Sequence, residues 1–152
     1  MSSLFVVTVD RFVPAPPEAV FALVADPRRH RDIDGSGTVR DATDVPERLV
    51  LGAQFGMDMH LGRGYSMVST VIEFEENRRI AWQSRPPEGS ATRKYFGGRI
   101  WRYVLTPAPG GTLVSESWDI TQEKNRLLVT PYRFATTRNM KATLERIAEI
   151  VG

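Results

Sequence analysis

The stretch TPYRFATTRNMKATLERIAEIV, residues 130–151, decides the fold. Read as a helix from Thr130 to Val151, it predicts a stripe of Phe134, Met140, Leu144, Ile147 and Val151 on one side, with Arg138, Lys141, Glu145 and Glu149 on the other. Thr130 followed by Pro131 is a start signal: a Thr hydroxyl can cap free N–H groups, and proline at the first helical position forfeits no bond the helix would have made. Gly152 stands where a helix stop is expected. A long, one-sided helix following a run of strands predicts a lid on a sheet, and the space between lid and sheet is the natural place for function.

The strands are read from alternation and punctuation. Leu4 to Val13 is rich in valine and phenylalanine and predicts the first strand, stopped by Pro14, Pro16 and Pro17. Pro17 then opens a short helix that buries Val20, Phe21, Leu23 and Val24 and ends at Asp26-Pro27; a second short helical piece is predicted around Arg28 to Ile33. After the loop Asp34-Gly35-Ser36-Gly37, strands are predicted over Thr38 to Asp44, Phe55 to Leu61, Tyr65 to Glu75, Arg79 to Ser84, Gly98 to Thr106 and Thr112 to Thr121. Gly62-Arg63-Gly64, Glu76-Asn77 and Pro109-Gly110-Gly111 are short enough to turn the chain straight back, which predicts antiparallel neighbours. Arg85 to Gly97 reads as a longer loop and a possible cavity rim. The fold class is therefore α+β: a curved antiparallel sheet of about seven strands wrapped around a long C-terminal helix, with two short helices after the first strand.

A chain of 152 residues with 41% hydrophobic and 25% charged residues suits one globular domain, residues 1–152. The net charge of +2, from scattered basic residues, gives no footprint for nucleic acid. The absence of cysteine removes disulfides, thiolate catalysis and zinc-thiolate sites, and two histidines argue against a dedicated metal site. No charged-then-apolar leader follows Met1, and no apolar run approaches the ~18 residues that span a membrane, so a cytoplasmic protein without stable membrane insertion is expected.

Period-two alternation puts Phe55, Met57, Met59 and Leu61 on one face, as it does Ile80 with Trp82, and Trp101 and Tyr103 with Leu105. Such large, soft side chains beneath a helix either close into a dry core or line a hollow. Tyr65, Tyr103, Trp82, Trp101 and Trp118 can stack on a flat ligand, with a phenol or indole N–H as polar handle; the side taken by Trp118 is open. Asp58 and His60, two apart, share a face and can form a carboxylate-oriented imidazole, but they alternate with Met57 and Met59 and face solvent unless a bulge at Gly56 reverses the register. His30 is expected at a solvated helix end. Arg102 and Glu116 are expected to pair across strands on the solvent side; if either points inward, it becomes the prime candidate for ligand anchoring or catalysis. No nucleophile elbow, phosphate loop or dinucleotide fingerprint is present.

The segments PAPPEAVFALVADPRRH (residues 14–30), NRRIAWQS (77–84), GRIWRYVLTP (98–107) and GGTLVSESWDI (110–120) resemble, in order and spacing over essentially the whole chain, the START-like (SRPBCC) superfamily of helix-grip proteins, and within it the polyketide cyclase/dehydrase branch. The resemblance implies binding of a small hydrophobic molecule, lipid-like or aromatic, between the C-terminal helix and the sheet, lined by Phe55, Met57, Met59, Trp82, Trp101, Tyr103, Met140 and Leu144. The alternative it implies is a polyketide aromatase/cyclase or dehydratase, for which Tyr65, Tyr103 and His60 are the available acid–base groups. A third possibility is a toxin-like or chaperone-cofactor-like domain that binds a protein partner, with a filled core and an exposed apolar patch. No cofactor or metal is implied, and the chain is expected to be a monomer or homodimer.

Overall fold

The computed structural model describes residues 4–35, 39–43, 46–61 and 63–152, except for the side chains of 39–43, 58–61 and 63–64. Strand β1 (Val6–Val13) ends at the proline cluster, and helix α1 (Pro17–Val24) begins on a proline, where no helical hydrogen bond is lost. Val20, Phe21, Leu23 and Val24 are buried, as their spacing predicts. Asp26 then caps a 3-10 turn (Pro27–Arg29) by accepting from the Arg28 N–H at 3.0 Å, and helix α2 (His30–Ile33) follows directly.

The remaining strands are β2 (Val39–Thr43), β3 (Gln54–Leu61), β4 (Arg63–Glu75), β5 (Arg79–Arg85), β6 (Arg99–Ala108) and β7 (Gly111–Asp119). With β1 they form one seven-stranded antiparallel sheet in the order β1-β7-β6-β5-β4-β3-β2. Short turns set this topology. Pro109-Gly110 joins Ala108 to its cross-strand partner Gly111, with Gly110 at φ 81°, a left-handed conformation that glycine adopts without strain. The first strand joins the sheet at one edge by pairing with β7, the long-range step among these strand pairings.

The terminal helical run is longer than the pattern predicts and is broken once: α3 (Arg126–Val129), a 3-10 turn (Thr130–Tyr132) and α4 (Arg133–Val151). Thr130 therefore caps nothing. The chain is already helical there, and its hydroxyl donates back to the Arg126 carbonyl at 2.7 Å, while Pro131, lacking an N–H, interrupts the ladder. Met140, Leu144 and Ile147 form the buried face of α4 together with Thr143, and Val151 is half-buried. Phe134 does not belong to that face and is 78% exposed. Six residues separate it from Met140, a rotation of roughly 600°, which leaves it a third of a turn off the stripe.

Helix α4 lies across β1 and β7 and is braced by α1 and α2. Its apolar face, α1 and the inner face of the sheet merge into one continuous hydrophobic core.

Leu144→Ala should therefore cost about 2–5 kcal/mol in urea unfolding, the range for emptying a buried leucine site, whereas Phe134→Ala should stay within about 0.5 kcal/mol of the parent. Comparable losses from both would refute the helix orientation.

Candidate functional site

Strands β6 and β7 alternate in step. Trp101, Tyr103 and Leu105 stand on the inner face of β6 opposite Trp118, Glu116 and Val114 of β7, and β5 adds Trp82 beside Trp101 and Ile80 beside Tyr103. Alternation thus carries Glu116 into the core between Val114 and Trp118, and all three are buried. The Tyr103 hydroxyl donates to Glu116 Oε2 at 2.8 Å. Glu116 Oε1 is buried and has no hydrogen-bond partner among the described residues.

Burial disfavours a charge here, and nearby Asp34 adds repulsion. Together they outweigh the Tyr103 hydrogen bond and push the Glu116 carboxyl up to about 8. At neutral pH Glu116 is mainly a neutral acid. With Oε2 accepting from Tyr103, its proton belongs on Oε1, aimed at whatever oxygen acceptor approaches it. Burial likewise lifts the Tyr103 phenol well above its ordinary value, reinforced by Glu116, so Tyr103 remains a donor.

A run of rings leads to this pair. His30 stacks on Trp82 with centroids 4.9 Å apart and planes 20° from parallel, Phe55 meets both edge-on, and Trp82 lies 5.7 Å from Tyr103. His30 is thus buried, contrary to the expected solvated helix end. Val24 is the last residue of α1, its carbonyl has no helical N–H to accept, and His30 Nε2 satisfies it at 2.8 Å. That bond requires Nε2–H, leaving the lone pair on Nδ1, and burial lowers the imidazole pKa despite the carbonyl bond.

The end of α2 is seated on α4 by Gly35, whose N–H donates to Thr143 Oγ1 at 2.8 Å. A Cβ at that position would fall 2.2 Å from the Asn139 carbonyl oxygen. This close approach holds Asp34 near enough to act on Tyr65, Tyr103 and Glu116. A second polar pair, Ser69 with Ser84 at 2.7 Å, is buried across β4 and β5.

Of the residues singled out from sequence, Phe55, Met57, Trp82, Tyr103, Met140 and Leu144 share one continuous core, and Trp101 packs against it half-buried. Tyr65 is 41% exposed, its phenol raised mainly by partial burial. The side chains of Asp58, Met59 and His60 lie outside the described residues; the β3–β4 register is unbroken, so Gly56 makes no bulge. Arg102 does not pair with Glu116. A register shift in β4 between Val71 and Glu73 brings Glu73 opposite Ala81, the residue that also faces Arg102, and Arg102 binds Glu73 at 2.6 Å and Asp119 at 3.6 Å. His30, Asp34 and the serine pair were not anticipated. The period-two step from Val114 through Glu116 to Trp118 was the signal that places Glu116. Surface depressions among the described residues include one of about 190 Å3 beside Arg78, Arg79 and Pro107 and one of about 240 Å3 among Asp10, Arg11, Lys141, Leu144 and Glu145.

The family model described as polyketide cyclase / dehydrase and lipid transport matches residues 5–152. The Mycobacterium tuberculosis protein Rv0088 (strain ATCC 25618 / H37Rv) is 35% identical over 145 residues, covering 90% of this chain but 60% of that relative, so the chain spans about three-fifths of its length. A solution structure of a protein from Arthrobacter aurescens superposes with a TM-score of 0.76 at 14% identity, covering 99% of this chain and 89% of that one. DynU16, from the dynemicin biosynthetic locus, superposes at 0.64 with 17% identity, covering 95% of this chain and 46% of its own. At such identities the structural likeness speaks for fold alone.

The buried acid makes a testable demand on stability. Its folded pKa lies above its ordinary 4.5, so the folded state holds more protons between 4.5 and about 8, and stability falls as pH rises through that window. His30, lowered by burial, has the opposite slope below its ordinary 6.5 and cancels when variants are compared. Thermal unfolding of Glu116→Gln against the parent should show a relative gain that grows from pH 5 to a plateau above pH ~8. A pH-independent difference would refute the buried neutral acid.

Proposed function

The chain belongs to the polyketide cyclase/dehydrase and lipid transport family, and from that premise we propose that it binds a small hydrophobic molecule, lipid-like or aromatic, between α4 and the inner face of the sheet. The observation that carries this is the buried Glu116 Oε1 with no partner among the described residues. A dry core would place an apolar residue there, because an unsatisfied buried polar group costs on the order of 1–3 kcal/mol. A ligand oxygen accepting from Oε1 offsets that cost.

Affinity comes from apolar surface, about 25 cal/mol per Å2 removed from water, against Phe55, Met57, Trp82, Trp101, Tyr103, Met140 and Leu144. The Tyr103–Glu116 pair then sets orientation. It favours a neutral acceptor such as a ketone, ester or protonated acid, since a carboxylate would be desolvated without a countercharge. Ring stacking beside Trp82 favours a flat portion of the ligand.

A second function is favoured by one observation, the acid at about 8. A neutral carboxyl hydrogen-bonded to a ketone oxygen polarises it toward the enol, the opening step of cyclisation or dehydration.

Native mass spectrometry of the protein purified from its own source should show a defined, non-covalent mass excess. In titrations with fatty acids and polycyclic aromatic ketones, Trp82→Ala should weaken all ligands, and Glu116→Leu, which removes the donor that a glutamine would keep, should weaken ketones about tenfold, the equivalent of one buried hydrogen bond. If both variants fold and bind with parental affinity, the site is wrongly placed. Conversion of a poly-β-ketone by the parent but not by Glu116→Gln would mark an enzyme.

A further inference from the structure

The α3–α4 run carries a second apolar face. Leu127, Leu128, Tyr132 and Phe134 are between 62% and 78% exposed, whereas Val129, Met140, Leu144 and Ile147 of the same run are buried. At 3.6 residues per turn, the exposed four project away from the side that covers the sheet. The loop before β6 extends the surface. Its 3-10 turn (Ala91–Lys94) leads into exposed Tyr95 and Phe96, and it is tied to the start of the helical run by Lys124 Nζ on the Arg93 carbonyl at 2.7 Å, Asn125 Nδ2 on the Tyr95 carbonyl and the Lys124 N–H on the Gly97 carbonyl at 3.1 Å.

Charge says what covers this surface. Residues 90–98 and 124–144 contain seven basic side chains, Arg93, Lys94, Lys124, Arg126, Arg133, Arg138 and Lys141, and no acidic one. The intervening Glu123 is buried and held by the Gly97 N–H and Arg99. Two guanidinium groups lie over rings, Arg126 4.8 Å from Phe5 and Arg133 5.8 Å from Phe134. A second copy of the chain would set cation against cation across a symmetric contact. An anionic lipid surface instead matches both features: each cation near it contributes about 1 kcal/mol, and the leucines and aromatics reach the apolar layer while tyrosines sit at headgroup level.

We propose that residues 124–138, together with Tyr95 and Phe96, dock the protein peripherally on an anionic lipid bilayer. No helix among the described residues is long and apolar enough to cross a membrane, so attachment is by the surface of a helix lying in the interface.

The full chain is floated with vesicles of phosphatidylcholine alone and of phosphatidylcholine mixed with phosphatidylglycerol, and its sedimentation is measured without lipid. It should float with the anionic vesicles, stay behind with the neutral ones and be released by high salt. Leu128→Ser with Phe134→Ser should weaken vesicle binding about tenfold or more, the effect of withdrawing two apolar side chains from lipid, with an unchanged melting curve because both residues are exposed in the free protein. Arg126→Gln with Arg133→Gln should erase the preference for anionic lipid. Absence of flotation, flotation indifferent to lipid charge or to both variant pairs, or a dimer in solution that Phe134→Ser dissociates would each overturn the proposal.

Discussion

A sheet whose inner face bears Phe55, Trp82, Tyr103 and Trp118 cannot leave that face in water; α4 covers it over β1 and β7, and His30 of α2 packs on Phe55 and Trp82. Met140, Leu144 and Ile147 supply the contact, at about 1.5–3 kcal/mol for each fully buried side chain, and their helical spacing fixes which side of α4 turns down. The other placements follow. α1 and α2 wedge beside α4, Gly35 permits the closest approach, and pairing of β1 with β7 brings the chain's beginning under its end.

Within that apolar layer the polar groups are few and nearly all bonded. His30 takes the carbonyl that α1 leaves behind, Ser69 and Ser84 satisfy each other, and Tyr103 donates to Glu116. Among the described residues, one buried carboxyl oxygen departs from this pattern. A group with that cost, persisting in the buried core, is a stronger pointer to function than the aromatics around it, which any core contains. Its elevated pKa is the same cost expressed as proton affinity, so stability and ligand preference are two consequences of one burial.

The long helical run shows how one segment serves two environments. From Met140 onward, Met140, Leu144 and Ile147 are buried against the core. Upstream, Leu127, Leu128, Tyr132 and Phe134 face outward, and Pro131 breaks the ladder between α3 and α4. Apolarity alone does not distinguish these uses, because both faces are built from the same residue types. Angular position does: Phe134 stands six residues before Met140, where a helical neighbour of that stripe would stand seven before.

The strands, their antiparallel order, the two short helices and the covering helix were legible in the sequence because they rest on local rules: period-two alternation, proline and glycine punctuation, and an apolar stripe close to the helical period. Those rules also put Trp82, Trp101 and Tyr103 on one face. They did not reveal the inward carboxyl, since a charged residue in a strand is ordinarily expected at solvent and its partner depends on register. The shift in β4 that delivers Glu73 to Arg102 is a property of two strands together, as is the opposition of Tyr103 and Glu116. His30 likewise looks like a helix-end cation until Trp82, 52 residues away, is brought against its ring. The sequence by itself determined which elements form and in what order, because hydrophobic period and turn chemistry are encoded within a few residues. Only the tertiary structure decided which polar groups are buried and with whom, because burial and pairing arise from contacts between distant parts of the chain.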